Sequence, residues 1–167
     1  MTTTTGGQLY FIALATLERL EIQFYPPELD FTNSLNIATV NIVGRNTPEY
    51  HYLSGESQLS MALDFYAMDG SVQDVIAKCL WLKALAMNDG DRRPAQQVKL
   101  VWGSLFPPNA KWIIRKFDYK LSLFDPANGN LPKQAYAQLT LALDPDSNIG
   151  WEDIRGDFKG PYPGLVT

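Results

Sequence analysis

The longest alternation in the chain runs from residue 112 to residue 143, and few folds accommodate it. In its first half Ile113, Phe117, Tyr119, Leu121 and Leu123 share one face. Lys116, Asp118, Lys120 and Ser122 share the other, and Arg115 interrupts the apolar row near its start. The segment DPANGNLP follows, where Asn128-Gly129 supply residues that tolerate positive φ. In the return half Ala135, Ala137, Leu139, Leu141 and Leu143 face inward, and Gln134, Gln138 and Thr140 face outward. A period of two over this length predicts a long two-stranded hairpin. One of its faces is apolar and needs a second layer; the other is polar and nearly charge-balanced.

Shorter strands are expected before it. Residues 9 to 16, LYFIALAT, are apolar without clear alternation and read either as a buried strand or as an edge strand docked on a neighbour. Leu20, Ile22 and Phe24 alternate with Glu21 and Gln23 until Pro26-Pro27 stops the strand. Residues 31 to 43 are weaker and read as a strand or long loop, with a bulge near Thr39 and Val40. Gly44 to Pro48 is a turn cluster. Leu59, Met61, Leu63 and Phe65 then alternate with Gln58, Ser60, Ala62 and Asp64.

Only residues 71 to 87, SVQDVIAKCLWLKALAM, carry a long helical period. Ser71 stands at the N-cap position with Asp74 three residues on. Val72, Val75, Ile76, Cys79, Leu80 and Ala86 are expected on the buried face. At ~100° per residue Trp81 falls opposite Val72, with Leu85 on the same side. Either a loop of the same subunit covers Trp81 or a neighbouring subunit does.

A chain of 167 residues is most simply one domain with a core large enough to need no disulfide or metal. A net charge of −4 leaves no basic footprint, so specific nucleic-acid binding is not expected. No stretch approaches the ~18 apolar residues of a membrane span, and MTTTTGGQ lacks the pattern of a signal peptide. Catalytic constellations are missing too. His51 is the lone histidine and Cys79 the lone cysteine, so no histidine metal cluster or triad can be built. LSGES around Gly55 lacks the Lys-Ser/Thr ending of a phosphate loop. No catalytic residue, metal ligand or cofactor site is assigned, and an enzyme is not expected.

Two blocks resemble the tube-like domain of contractile injection systems and contractile phage tails. The stretch LSGESQLSMALDFYAMDG (residues 53–70) resembles that family's glycine-led strand, with Gly55 at a glycine and Leu59, Met61, Leu63 and Phe65 at inward positions. Residues 98–143 are similar to its V-x-F-x-W-G strand and following hairpin. Val101, Trp102 and Gly103 carry the first motif; Phe124, Asp125, Pro126, Gly129, Pro132 and Ala135 carry the turn, which is two residues longer than the pattern. Phe24, Tyr25 and Pro26 resemble the early F-x-F-N-P segment without its asparagine, and Ser54 replaces a glycine.

The resemblance implies a mainly β fold: a two-sheet sandwich or barrel of the tail-tube type, one flanking helix (71–87) and the long hairpin (112–143). Residues 1–8 would be a flexible N-terminus, 9–143 the tube-like domain, and 144–167 an extended C-terminal arm too short for the LysM module of related baseplate proteins. It implies a homo-oligomeric, hexameric ring in which hairpins of adjacent subunits form an inner barrel. Lys116, Asp118, Lys120, Ser122, Gln134, Gln138 and Thr140 would line the channel. Trp81, Leu85, Trp151, Phe158 and Tyr162 would meet neighbouring subunits. Partners would be hub-spike and tube proteins, with wedge or sheath-proximal baseplate proteins beside them. The setting would be a virion tail or an injection particle assembled in the cytoplasm, without membrane contact. The competing reading is a small-molecule or glycan-binding β-barrel with Trp102, Trp112 and Trp151 as aromatic platforms.

Overall fold

Alternation produces strands where one face can be buried, and the core shows which faces those are. The computed structural model describes residues 8–68, 72–87, 96–147, 149 and 153–154. Its strands are β1 (Tyr10–Ala13), β2 (Arg19–Glu21), β3 (Leu29–Val40), β4 (Glu49–Tyr66), β5 (Gln97–Val101), β6 (Trp112–Asp125) and β7 (Leu131–Leu143). One helix, α1 (Val72–Ala86), joins β4 to β5. All strand pairs are antiparallel, in one seven-stranded sheet of order β2-β1-β5-β6-β7-β4-β3. The class is therefore mainly β, with one long helix among the described residues. The β5–β6 junction consists only of Gln97–Ile113 and Val98–Trp112. It divides the sheet into a three-stranded half and a longer four-stranded half, β6-β7-β4-β3.

Both halves contribute to one core. Leu9, Phe11, Leu20, Ile22, Val98 and Leu100 come from the short half. Leu59, Leu63, Phe65, Ala135, Ala137, Leu139 and Leu141 come from β4 and β7, as their alternation predicts. Helix α1 lies over β6 and β7. Each fully buried large aliphatic side chain stabilises by about 1.5–3 kcal/mol.

The hairpin departs from strict alternation at two places. A register shift at Arg115 lies between the Ile114–Leu141 and Lys116–Thr140 pairs. The extra residue turns Ile114, not Ile113, into the core. Leu123 adopts φ 55 and is exposed, so the apolar row holds only over Phe117, Tyr119 and Leu121. At the turn positive φ falls on Gly129 and Asn130, one position later than expected. Asn128 instead closes a short 3-10 turn, Pro126–Asn128.

Earlier strands shift as well. Phe24 lies beyond β2 and is exposed, whereas Pro26 is buried. β1 is an interior strand between β2 and β5, not an edge. The bulge in the β3–β4 ladder falls at Asn36/Ile37, with Leu53 of β4 as the extra residue.

Helix α1 buries Val72, Val75, Cys79, Leu82 and Leu85 and leaves Leu80 exposed. The buried stripe is centred near Val75 and Leu82, and Val72 lies on its border. Measuring from Val72 therefore placed the outer face ~60–70° from its true position. Leu85 belongs to the subunit's own core, which corrects its expected role at a subunit contact. Ser71, the expected cap, lies outside the described residues. Desolvation raises the Cys79 thiol to about 11, so it behaves as a small apolar side chain.

The roll of the helix has a direct check. In urea denaturation Leu82→Ala is expected to cost about 2–5 kcal/mol. Leu80→Ala should cost less than about 1 kcal/mol. The reverse order of costs would mean that the helix sits in the orientation first expected.

Candidate assembly edges and polar sheet face

The residues expected to line a channel do share one surface. Across β6 and β7 the pairs Lys116–Thr140, Asp118–Gln138 and Ser122–Gln134 stand side by side, and Lys120 pairs with Tyr136. Period two places all of them on the face opposite Leu139 and Leu141. The same face continues onto β4 through Gln58, Ser60, Ala62 and Asp64, paired with β7. The Ser60 and Thr140 hydroxyls lie 3.3 Å apart, and Gln138 Nε2 donates to Tyr136 Oη at 2.7 Å. Tyr136 was not singled out from sequence, although its place between Ala135 and Ala137 marks it as outward.

Charges on this face balance locally. Lys116 pairs with Asp118 at 3.0 Å, and Arg115 pairs with Glu56 of β4. Lys120 and Asp64 flank Tyr136 across the ladders. Exposed pairs of this kind contribute little to stability, about 0–1 kcal/mol. Their effect is to hold the face near neutrality without an apolar patch. Among the described residues no group of three or more His, Cys, Asp or Glu is placed to hold a metal ion.

Two long strand edges border the face. Among the described residues β3 pairs only with β4, so Leu29–Val40 offers a free edge. Among the described residues β6 is unpaired beyond Ile113 on the side away from β7. The third edge, β2, is three residues long and carries the Arg19–Glu21 ion pair at 2.8 Å. Short, charged edges discourage pairing; β3 has one charged residue, Asp30, and no proline. Sequence reading missed the β3 edge, because its row is exposed almost throughout.

The remaining expected contacts separate. Trp81 is half-buried, and its Nε1–H donates to Glu18 Oε2 at 2.8 Å, so the β1–β2 connection of the same chain covers it. Trp151, Phe158 and Tyr162 lie outside the described residues. Two of the three aromatic platforms of the binding reading are not open: Trp112 is buried edge-on to Phe106, and Trp102 is stacked by Tyr25 at 5.4 Å. A polar cavity of 260 Å³ beside Glu21, Gln23, Asp74 and Lys78 is smaller than the ~300–1,000 Å³ of sites for drug-sized ligands.

Comparison with known proteins gives structural likeness only. No family model matches the chain, and no curated protein matches it. Among solved structures it is similar to a chain of the tail of an empty GTA particle with C6 symmetry. That likeness has 12% identity, a TM-score of 0.44, and coverage of 86% of this chain and 95% of that one. It is similar to a chain of the sixfold-symmetrised baseplate of the anti-feeding prophage, at 12% identity and TM-score 0.42, covering 86% and 92%. A third likeness is to the SPP1 Dit protein of the hub adsorption apparatus of Gram-positive-infecting phages. There the identity is 10% and the TM-score 0.44, over 82% of this chain and 50% of the Dit chain, so this chain spans half of Dit.

The far end of the polar face is held by Asp125. Its carboxylate accepts from Asn128 Nδ2 at 2.9 Å and Ala127 N–H at 3.1 Å, and Lys133 Nζ lies 3.4 Å away. These contacts, led by the Asn128 bond, lower its pKa below the ordinary 3.8. A lowered value stabilises the fold above the ordinary carboxylate range, and that contribution is lost as pH falls through the lowered value. Thermal midpoints of wild type and Asp125→Asn should thus differ at pH 7 and converge below pH 3.8. A constant gap across that range would mean that the charge of Asp125 plays no part.

Proposed function

We propose that the chain is a structural subunit of a phage tail or related injection device. In this reading copies join head to tail into a hexameric ring of the inner tube, or of the baseplate adaptor between hub-spike and tube. The observation that carries the reading is the complementarity of the free edges of β3 and β6. Four antiparallel strands separate them inclusively, so β3 runs opposite to β6. A second copy in the same orientation therefore presents its β6 antiparallel to β3, and the sheet continues. Contact between two different edges is heterologous and closes into a ring when the rotation per copy divides a full turn. Closure removes both edges at once.

The register adds a constraint. Following Phe31–Leu59, Leu59–Leu141 and Leu141–Ile114 across the sheet sets Phe31 level with Ile114. From that level β3 runs one way and the free part of β6 runs the other. The edges overlap only if successive copies are displaced along the strands, which is the stagger of a barrel with tilted strands. Six copies would give about 24 strands, more than the ~16–18 that already enclose an aqueous channel in porins. The near-neutral polar face would line it. The resemblance drawn from Gly55, Val101-Trp102-Gly103 and the Asp125–Ala135 turn agrees with this arrangement. In the same proposal Trp151, Phe158 and Tyr162 of the C-terminal segment contact a neighbouring subunit or baseplate component, and the role is assembly rather than catalysis.

Thr32→Pro and Asn33→Pro test the edge. Successive N–H groups of a strand point to opposite sides, so one substitution removes a donor toward β4 and the other a donor at the free edge. Sedimentation and electron microscopy of the wild-type chain should show rings. One proline variant should remain folded and monomeric, and the other should be destabilised. A wild-type chain that stays monomeric at its highest attainable concentration would overturn the proposal.

A further inference from the structure

The least expected part of the molecule is an arm. β4 pairs with β7 only from Gln58 to Tyr66, yet its ladder with β3 continues to Glu49–Val40. Residues 49–56 and their β3 partners therefore project about 25 Å past the end of β7, at ~3.3 Å per residue. The two faces of this arm differ in chemistry. One carries Asp30, Ser34, Asn36, Ser54 and Glu56 and continues the polar face of the body. The other starts from Phe31, which pairs with core residue Leu59 and touches Phe106 at 6.4 Å between centroids. Beyond it stands the hydrogen-bonded Asn33–Ser57 pair, and then Leu35, Ile37, Tyr50 and Tyr52 follow on the same side, by alternation and by the Ile37–Tyr52 and Thr39–Tyr50 pairs. These five side chains are 51–68% exposed.

The apolar row is organised. A Cβ on Gly55 would stand 2.6 Å from Tyr52 Oη and 3.3 Å from Leu35 Cδ2. Glycine at that position lets the Tyr52 ring lie across the strand beside Leu35. At ~200 Å² per large side chain, the bare row amounts to about 600 Å². That is at the upper end of the ~300–600 Å² found for the largest patch of a monomer, and close to the ~800 Å² per partner of a standard interface. No charged side chain falls in the row.

We propose that a second copy of this chain covers this face with its helix α1, the Phe117-Tyr119-Leu121 row of its β6 lying alongside. The inference rests on the ring reading above and names the partner surface that the reading leaves open. Three observations select a copy as occupant. The bare face is continuous with the core face of the sheet, so whatever covers it must resemble the layer that covers the body. Within each chain that layer is α1, packed over β6 and β7. Phe117, Tyr119 and Leu121 are only partly buried at the open edge of β6, and that edge is the one β3 would join. Joining the two edges makes the two half-covered apolar rows one surface, and the arm completes the core of its neighbour.

The test uses the full chain with the photo-crosslinking residue p-benzoylphenylalanine placed at Tyr52, with ring formation followed by native mass. Crosslinks are expected to a second copy, at α1 or at residues 114–125. A companion variant, Leu35→Ser with Tyr52→Ser, should keep the circular dichroism and melting temperature of the monomer. Its concentration at half-assembly should rise at least tenfold. If wild type forms rings while the double-serine variant assembles equally well, or crosslinks map elsewhere, the inference fails and the ring reading stands. If wild type forms no ring, the ring reading fails first. Crosslinks confined to single chains would likewise overturn the inference.

Discussion

Backbone hydrogen bonding along β4 sets the terms for the rest of the molecule. In its C-terminal part β4 has β7 on one side and, through Leu59, Met61, Leu63 and Phe65, the core beneath it. In its N-terminal part it has β3 alone. A single strand thus belongs to a packed body at one end and to a two-stranded ribbon at the other. Isolated ribbons are marginal in water because too little apolar surface is buried to offset the ordering of the chain. The base of this one is held by Phe31 against Phe106 and by Arg115 against Glu56. Among the described residues its outer part has its own ladder and cross-strand contacts such as Asn36 Nδ2 to Ser54 Oγ at 2.9 Å.

Where one face of a strand is buried and the other wet, the alternation in the sequence was readable. Residues 59–65, 117–121 and 135–141 fall where the pattern puts them. It failed where a backbone irregularity inserts a residue: at Arg115, which moves Ile114 inward, and at Leu53, which places the bulge in β4 instead of β3. It also failed for the arm. Both faces of the arm meet solvent in a single chain, so its Phe, Leu and Ile residues had no burial pattern to betray a strand of this length. The helix was legible in extent but not in roll, because six apolar positions at three- and four-residue steps admit two overlapping stripes. Leu82 and Leu85 decided between them by packing over β6 and β7.

The candidate site was legible to a similar degree. Parity alone grouped Lys116, Asp118, Lys120, Ser122, Gln134, Gln138 and Thr140, and the ladders bring those seven together. Parity does not say that the surface faces a channel, since that depends on where the next copy stands. Trp81 shows the converse case. Its angular position opposite Val72 suggested an outward contact, but the carboxylate of Glu18 reaches its indole N–H. Such a contact links residues far apart in sequence, and no local pattern encodes it.

In the ring proposed above, the arm's two-faced chemistry bears on how an open sheet edge avoids wrong pairing. Many sheet proteins protect an edge by placing lysine or proline on it, as β2 does here in reduced form with Arg19 and Glu21. β3 cannot use that device if its edge must later pair, because an inward charge or a missing N–H would block the partner as well. What is left is to keep one face of the edge polar over Asp30, Thr32, Ser34 and Asn36, and to set Phe31, Leu35 and Ile37 on the other. A wrong pairing that slips by one residue then sets Leu35 and Ile37 against a polar row and loses the burial that the correct register gains. Selectivity for a single register follows from the same alternation that leaves the arm bare in the monomer. The exposed apolar row and the unprotected edge are in this sense one feature, and each restricts what the other can bind.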